Sequence, residues 1–149
     1  MKINIQTSDI ATVVALSRQI PELENPYPAA EYEKRLVATP HLILVAKVEG
    51  RPVGFKVGYE RSGYFYSWMG GVHPDFRRQG LARMLAEAQE CWAYEQGYAS
   101  ITFKTRNRLK AMLCFALRRG FHLVQLDPHP DIRESRIWLR KKLSAATNA

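Results

Sequence analysis

The stretch with chemical content is Val72-His73-Pro74-Asp75-Phe76-Arg77-Arg78-Gln79-Gly80-Leu81-Ala82-Arg83. A β-rich run gives way here to a basic loop, and apolar residues then recur at helical spacing. The first turn of a helix has four amides without internal partners, and the aligned peptide dipoles add positive potential there. Gly80 has no side chain to hold a ligand off the backbone, Ala82 keeps the next turn accessible, and Arg77, Arg78 and Arg83 surround the mouth. That combination suits an oxygen-rich anion, a pyrophosphate above all, with no metal required. A basic loop before a helix is, taken alone, more often a set of solvated arginines. Here the paired glycines Gly70-Gly71 end the preceding strand. They cost stability there unless a bulge or a close ligand needs them.

Such a site requires a strand, a loop and a helix in that order, and the flanking sequence supplies them. Residues 2–6 alternate as a short strand, Thr7, Ser8 and Asp9 offer a cap, and Ile10, Val13, Val14 and Ser17 follow helical spacing up to Pro21. Residues 21–28 carry Pro21, Pro26 and Pro28 and form no regular helix. A short helix is predicted over 29–38, ended by Pro40. Three strands, 41–48, 53–60 and 64–72, follow as an antiparallel meander with turns at 49–52 and 61–63. Leu81, Met84, Leu85, Ala88 and Trp92 then line one side of a long helix ending near Gly97. Residues 98–105 read as a strand. Leu109, Met112, Leu113 and Ala116 mark a last helix stopped by Gly120, and 121–126 and 134–142 close as a strand pair. The order is β-α-α-β-β-β-α-β-α-β-β. Strands 64–72 and 98–105 are joined by a crossover helix and therefore run parallel. This is a mixed α/β sheet in a single domain over 1–143, with a frayed tail over 144–149.

The 149 residues are enough for one domain and its core, and 46% hydrophobic against 24% charged is a globular balance. No stretch approaches the roughly 18 consecutive apolar residues of a membrane span. The N-terminus lacks the basic start and apolar run of a signal peptide, so the expected compartment is the cytoplasm. Cys91 and Cys114 are too few for a disulfide framework or a structural zinc site. Twenty-two Lys and Arg against 14 Asp and Glu leave a net charge of +8. That surplus attracts polyanions or a phosphorylated small molecule. Arg106, Arg108, Lys110, Arg118 and Arg119 gather near the last helix, but no nucleic-acid reader motif accompanies them, which argues against that partner.

Val72-x-Pro74-x-x-Arg77-x-x-Gly80-x-Ala82 resembles the acyl-CoA-binding motif of the GNAT superfamily of N-acetyltransferases, whose core is Arg/Gln-x-x-Gly-x-Gly/Ala reached from a strand ending in Val-x-Pro. The element order is similar to that of the family over 2–142. So is a second signature: Asn107 after the strand, then Ala111-Met112-Leu113, then Gly120-Phe121. The resemblance implies a GNAT-like fold and acetyl-CoA as co-substrate. It implies that the backbone of Gly70, Gly71 and Val72 holds the pantetheine arm and that the amides of Arg78, Gln79, Gly80, Leu81, Ala82 and Arg83 hold the pyrophosphate. Asn107 touches the cofactor on this reading, and it also suits a helix N-cap. The parallel strands 64–72 and 98–105 are expected to splay, with the thioester in the opening. A backbone amide at the strand end would face the developing oxyanion, often the largest single term in acyl transfer.

The usual acid and base of the family are not visible. Counting from the motifs, the positions where many members carry a Glu hold Tyr66 and Thr102. The position of the usual Tyr holds Ala116 or, counted from Asn107, Cys114. Tyr66 and Cys114 are the catalytic candidates, with Tyr64, Glu60 and His73 behind them. The ordinary reading makes His73 a loop residue, Cys91 and Cys114 small buried side chains, and Met84 and Met112 core. The family's acceptor loop corresponds to 21–28, followed by Glu31 and Glu33. Its acidic residues suit a cationic amine, small-molecule or peptide, with Glu24, Tyr27, Tyr64 and Trp68 as candidate acceptor contacts. A non-catalytic acyl-CoA sensor is the alternative that the missing acid and base support. Homodimers are common in the family, but no self-complementary surface can be read from the sequence.

Overall fold

The computed structural model describes residues 1–145. Its elements are β1 (Ile3–Thr7), α1 (Ile10–Ser17), α2 (Ala29–Leu36), β2 (His41–Val48), β3 (Arg51–Arg61), β4 (Tyr64–Val72), α3 (Leu81–Glu95), β5 (Ser100–Arg106), α4 (Lys110–Arg118), β6 (His122–Asp127) and β7 (Arg136–Lys142). Single 3-10 turns at Pro74–Phe76 and Ile132–Glu134 were not foreseen. Of the expected tail, residues 146–149 lie outside the described residues.

Local chemistry accounts for the boundaries. The Asp9 carboxylate accepts from the Thr12 amide at 2.8 Å and caps α1. This bond holds the Asp9 carboxyl below its ordinary range. Both hairpins turn on paired positive-φ residues, Glu49-Gly50 and Ser62-Gly63. That is the twist a two-residue hairpin turn requires.

The sheet has seven strands in the order β1-β2-β3-β4-β5-β7-β6. Every pairing is antiparallel except β4 with β5. That parallel ladder is two rungs long: Phe65 opposite Ile101 and Tyr66 opposite Thr102. Beyond it the strands part. On the other flank of β4, Val57 pairs with Met69 and Gly58 with Ser67, so Trp68 is an extra residue in a β-bulge. Trp68 lies two residues past the last β4–β5 rung, where the bulge re-aims the strand as the sheet opens.

Two cores cover the two faces. One joins α3 to the sheet through Leu81, Leu85, Phe65, Ile101 and Leu139. The other packs α1 and α2 onto β2 and β3 through Val13, Leu16, Tyr32, Leu36, Val45 and Phe55. No helix among the described residues is long and apolar enough to cross a membrane. None of their His, Cys, Asp and Glu side chains form a group of three suited to a metal.

Candidate functional site

The opening between β4 and β5 leads to the loop ahead of α3. In that loop Arg78 has φ +63° and Gly80 φ +79°, two left-handed residues within three positions. Such turns bring successive amides toward a common point. Gly80 is the N-cap of α3, no side chain caps the helix, and its first turn holds no acidic residue. The amides that open this 15-residue helix are therefore unclaimed by side chains, and Arg78, Gln79 and Ala82 beside them are exposed. Arg83 leans toward Glu87 at 3.5 Å with most of its side chain in solvent.

Arg77 departs from expectation. Its guanidinium does not join the mouth of the helix. It binds Glu22 through two nitrogens at 2.7 Å each, while its Nε donates to the Val72 carbonyl at 3.1 Å. The cause is geometric: the extended backbone of Arg77 follows the 3-10 turn and brings the loop end back over the strand end. His73 is also committed, since its Nδ1 accepts from the Asp75 amide and caps that turn. This removes it as a free base.

Gly70 and Gly71 meet different demands. A Cβ on Gly71 would lie 2.9 Å from Ile20 Cδ1, and one on Gly70 would lie 3.1 Å from the Phe55 carbonyl oxygen. The glycines let β4 pass close to Ile20, in the segment after α1, and to β3 as it leaves β5.

On the face away from α3, Tyr66 and Trp68 point to the same side. Trp68 stacks with Tyr27 and Tyr32 at centroid separations of 5.3 and 4.7 Å, and Tyr59 bridges Trp68 and Tyr66. Tyr66 is 3% exposed, and burial is the main cause holding its phenol above the ordinary value. At neutral pH it is protonated and can give a proton but not take one. Tyr64 lines an open hollow with Thr102, Gln125, Trp138 and Arg140. Glu60 accepts from the Tyr98 hydroxyl at 2.9 Å. Glu24 is exposed.

Three expectations are overturned. Asn107 does not cap α4: the helix starts later with Leu109 as N-cap, and the Asn107 amide donates to the Ile132 carbonyl while its oxygen accepts from Lys110. Cys91 and Cys114 are exposed, because the sides of α3 and α4 that carry them face away from the sheet. Met112 is exposed for the same reason, and Met84 packs on the core as expected. Of the four acidic residues in and after the acidic loop, Glu22 pairs with Arg77 and Glu31 with Arg35.

Two groups escaped sequence reading. Lys56 on β3, opposite Gly70, is pressed against α3, and burial drops its ammonium to about 8. On α3, Gln89 is fully buried with neither amide atom partnered, and Glu90, whose charge acts on Lys56, holds Lys141 at 2.6 Å and Arg119 at 2.8 Å. The second group is Arg35, Arg61 and Lys104, which sit on the aromatic face. Strand alternation could have placed Lys104 on the side of Thr102, but nothing in the sequence joins Arg35 to Trp68.

Comparison with known proteins agrees with this geometry. Residues 11–121 match the family described as the acetyltransferase (GNAT) family. An acetyltransferase of Yersinia enterocolitica is 32% identical over 114 residues, which cover 72% of this chain and 77% of that protein. Among solved structures, the ribosomal-protein-S18-alanine N-acetyltransferase of Escherichia coli superposes with a TM-score of 0.84 at 18% identity, covering 99% of both chains. A GNAT family acetyltransferase from Elizabethkingia anophelis with acetyl-CoA bound gives 0.77 at 17% identity, covering 95% of this chain and 98% of that one.

Proposed function

The chain belongs to the acetyltransferase (GNAT) family, and we propose on that premise that it transfers an acetyl group from acetyl-CoA to an amine by direct attack in a ternary complex. The observation that carries the reading is the coincidence of two features: a ladder that ends after two rungs, and an uncapped helix opening at the far end of the same strand.

The amides of Arg78 to Arg83, with the dipole of α3 behind them, would hold the diphosphate. The backbone of Gly70 to Val72, parted from β5, would take the pantetheine arm as a substitute strand. Asn107 sits at the other lip, at the end of β5, and would touch the same arm. The acetyl carbonyl would then lie at the bulge, where the backbone is turned out of the ladder. An amide donor there favours the oxyanion over the ground-state carbonyl.

The amine enters from the face of Tyr66, Trp68, Tyr27 and Tyr64, opposite α3. Its nitrogen attacks the carbonyl carbon, the carbon–sulfur bond breaks, and the thiolate leaves as a thiol once protonated. No carboxylate stands at the usual positions, so water carries the amine's proton away, and the rate rests on proximity and the amide donor. The protonated Tyr66 phenol is suited to donating toward the leaving group or the oxyanion. Cys114, exposed on the outer side of α4, faces away from the parting of β4 and β5 and drops out as a donor.

An amine panel monitored by free thiol release tests the reading. The expected result is slow thioester consumption that rises sharply with a suitable amine. Tight acetyl-CoA binding with thiol release at background for every amine would overturn it.

A further inference from the structure

The acceptor face has a charge opposite to the one its acidic loop suggests. Trp68, Tyr59, Tyr66 and Trp138 form a continuous aromatic floor across β4, β3 and β7, with adjacent centroids 6.0, 5.5 and 6.1 Å apart. Three cations rest on it. The Arg35 guanidinium lies 4.4 Å from the Trp68 centroid and donates to the Tyr59 hydroxyl at 3.0 Å. Arg61 lies 5.0 Å from Tyr66 and 5.7 Å from Trp138, and the Lys104 ammonium 5.3 Å from Trp138. The register continues the pattern on the same side, with Arg140 opposite Thr102 and Arg136 opposite Arg106.

The carboxylates near this floor are already engaged. Glu31 binds Arg35, Glu134 binds Arg106 and Arg108, and Asp127 accepts from the Trp138 indole. Arg61, Lys104, Arg136 and Arg140 have no carboxylate within ion-pair distance among the described residues. Burial and the surrounding guanidiniums of Arg136, Arg61, Arg106 and Arg35 hold the Lys104 ammonium below its usual range. Asp127, which already accepts from the Trp138 indole and Gln125, is the carboxylate whose charge acts on Lys104 and Arg136, and one carboxylate leaves this half-buried cluster of cations strongly positive and suited to an anion. The diphosphate does not fill it, because the α3 opening belongs to the other core.

We propose that the acceptor is an amine that also carries a carboxylate, with the anionic end held by Lys104 and Arg61 over Tyr66 and Trp138 and the amine directed to the parting of β4 and β5. The proposal rests on the transferase reading and narrows it. A polyamine or other multiply cationic amine is disfavoured by like charge, and the aromatic floor offers it no free face because Arg35, Arg61 and Lys104 already occupy it. The shared chemistry has two sources, a free amino acid or a peptide terminus with an acidic side chain.

The test titrates the coenzyme A-loaded protein calorimetrically with matched pairs: β-alanine against β-alaninamide, and Glu-Ala-Ala-amide against Gln-Ala-Ala-amide. The expected result is about tenfold tighter binding of the carboxylate member in at least one pair, the scale of a charge-assisted hydrogen bond. The responding pair identifies the source. In Lys104→Met, and in Arg61→Met as a second variant, the preference falls to about twofold or less with no fall in melting temperature and unchanged acetyl-CoA affinity. Equal affinity within both pairs, or a preference that survives both variants, overturns the proposal. Thiol release is measured on the same amines. A carboxylate preference without any release sinks the transferase reading and leaves the anion site standing, whereas release that favours the amides sinks only the anion site.

Discussion

Arg77 and Glu22 are 55 residues apart in sequence and meet through two parallel hydrogen bonds of 2.7 Å. Arg77 also holds the Val72 carbonyl, so one guanidinium ties the end of β4 to the segment between α1 and α2. The two sides of the proposed reaction are thus joined by a clamp outside both.

The clamp predicts a small stability effect. Both partners are exposed, at 40% and 47%, and such pairs contribute roughly 1 kcal/mol or less. Arg77→Ala, Glu22→Gln and the double variant should each lower stability by about that amount, with the double no worse than the singles. Arg77 holds the Glu22 carboxyl below its ordinary range, so the contribution is present at neutral pH and fades as acid protonates Glu22. Denaturant melts at pH 7 and pH 3 check both points. Additive losses would show that the contact carries nothing.

Gly80→Glu should abolish acetyl-CoA binding while the protein still folds. Position 80 has φ +79°, so any side chain costs about 1–2 kcal/mol there, and a carboxylate repels a diphosphate. The added Cβ meets nothing closer than the Arg83 guanidinium at 3.8 Å, so packing is not the obstacle. Calorimetry with acetyl-CoA and a thermal melt separate the two effects. Unchanged affinity would contradict the site.

Lys56→Met should stabilise the protein at neutral pH. Burial of the ammonium, opposed by Glu90 and aided by Arg119, lowers its pKa to about 8 from an ordinary 10.5. A charged Lys56 therefore costs folding energy below about pH 8. The cost is relieved as pH rises, because between those values the unfolded chain binds the proton more tightly. The melting-temperature gain of the variant should be largest at pH 7 and shrink toward pH 10. A gain that does not change with pH would point to packing alone.

Gly58→Ala should be among the most damaging single-methyl additions. A Cβ there would overlap Phe65 Cε2 and sit 2.8 Å from the Tyr66 carbonyl oxygen, beside the bulge. Overpacking of this kind costs on the order of 1–3 kcal/mol. Gly71→Ala presses only on the flexible end of Ile20 and should cost less. Denaturant midpoints of the two variants rank them. The reverse order would mean that β3 yields more readily than the segment around Ile20.

The alternation and helical spacing that predict β4, α3 and β5 survive folding because each element buries one continuous apolar face. The α3 opening is legible because Gly80 and the absence of a capping side chain are local facts. What was not legible depends on side chains meeting across distance. Arg77 was assigned to the anion because it lies in the loop, but its partner is in another segment. Asn107 suits a cofactor contact or a cap by its place after β5, but as a cap it fails because the chain continues to Leu109 before α4 begins. Composition likewise does not show that Glu22 and Glu31, in and after the acidic loop, each have a partner of their own.

The two-rung ladder has a consequence for the sheet as a material. Past Tyr66 and Thr102, a sheet with two outer borders gains two inner ones, rows of amides and carbonyls facing each other across a cleft. Exposed borders invite foreign strands. These are recessed between halves that α3 holds together, so a thin chain-like guest can reach them more easily than another protein can. Amide protons along the inner borders should exchange quickly in the empty protein and slowly once the cleft is filled.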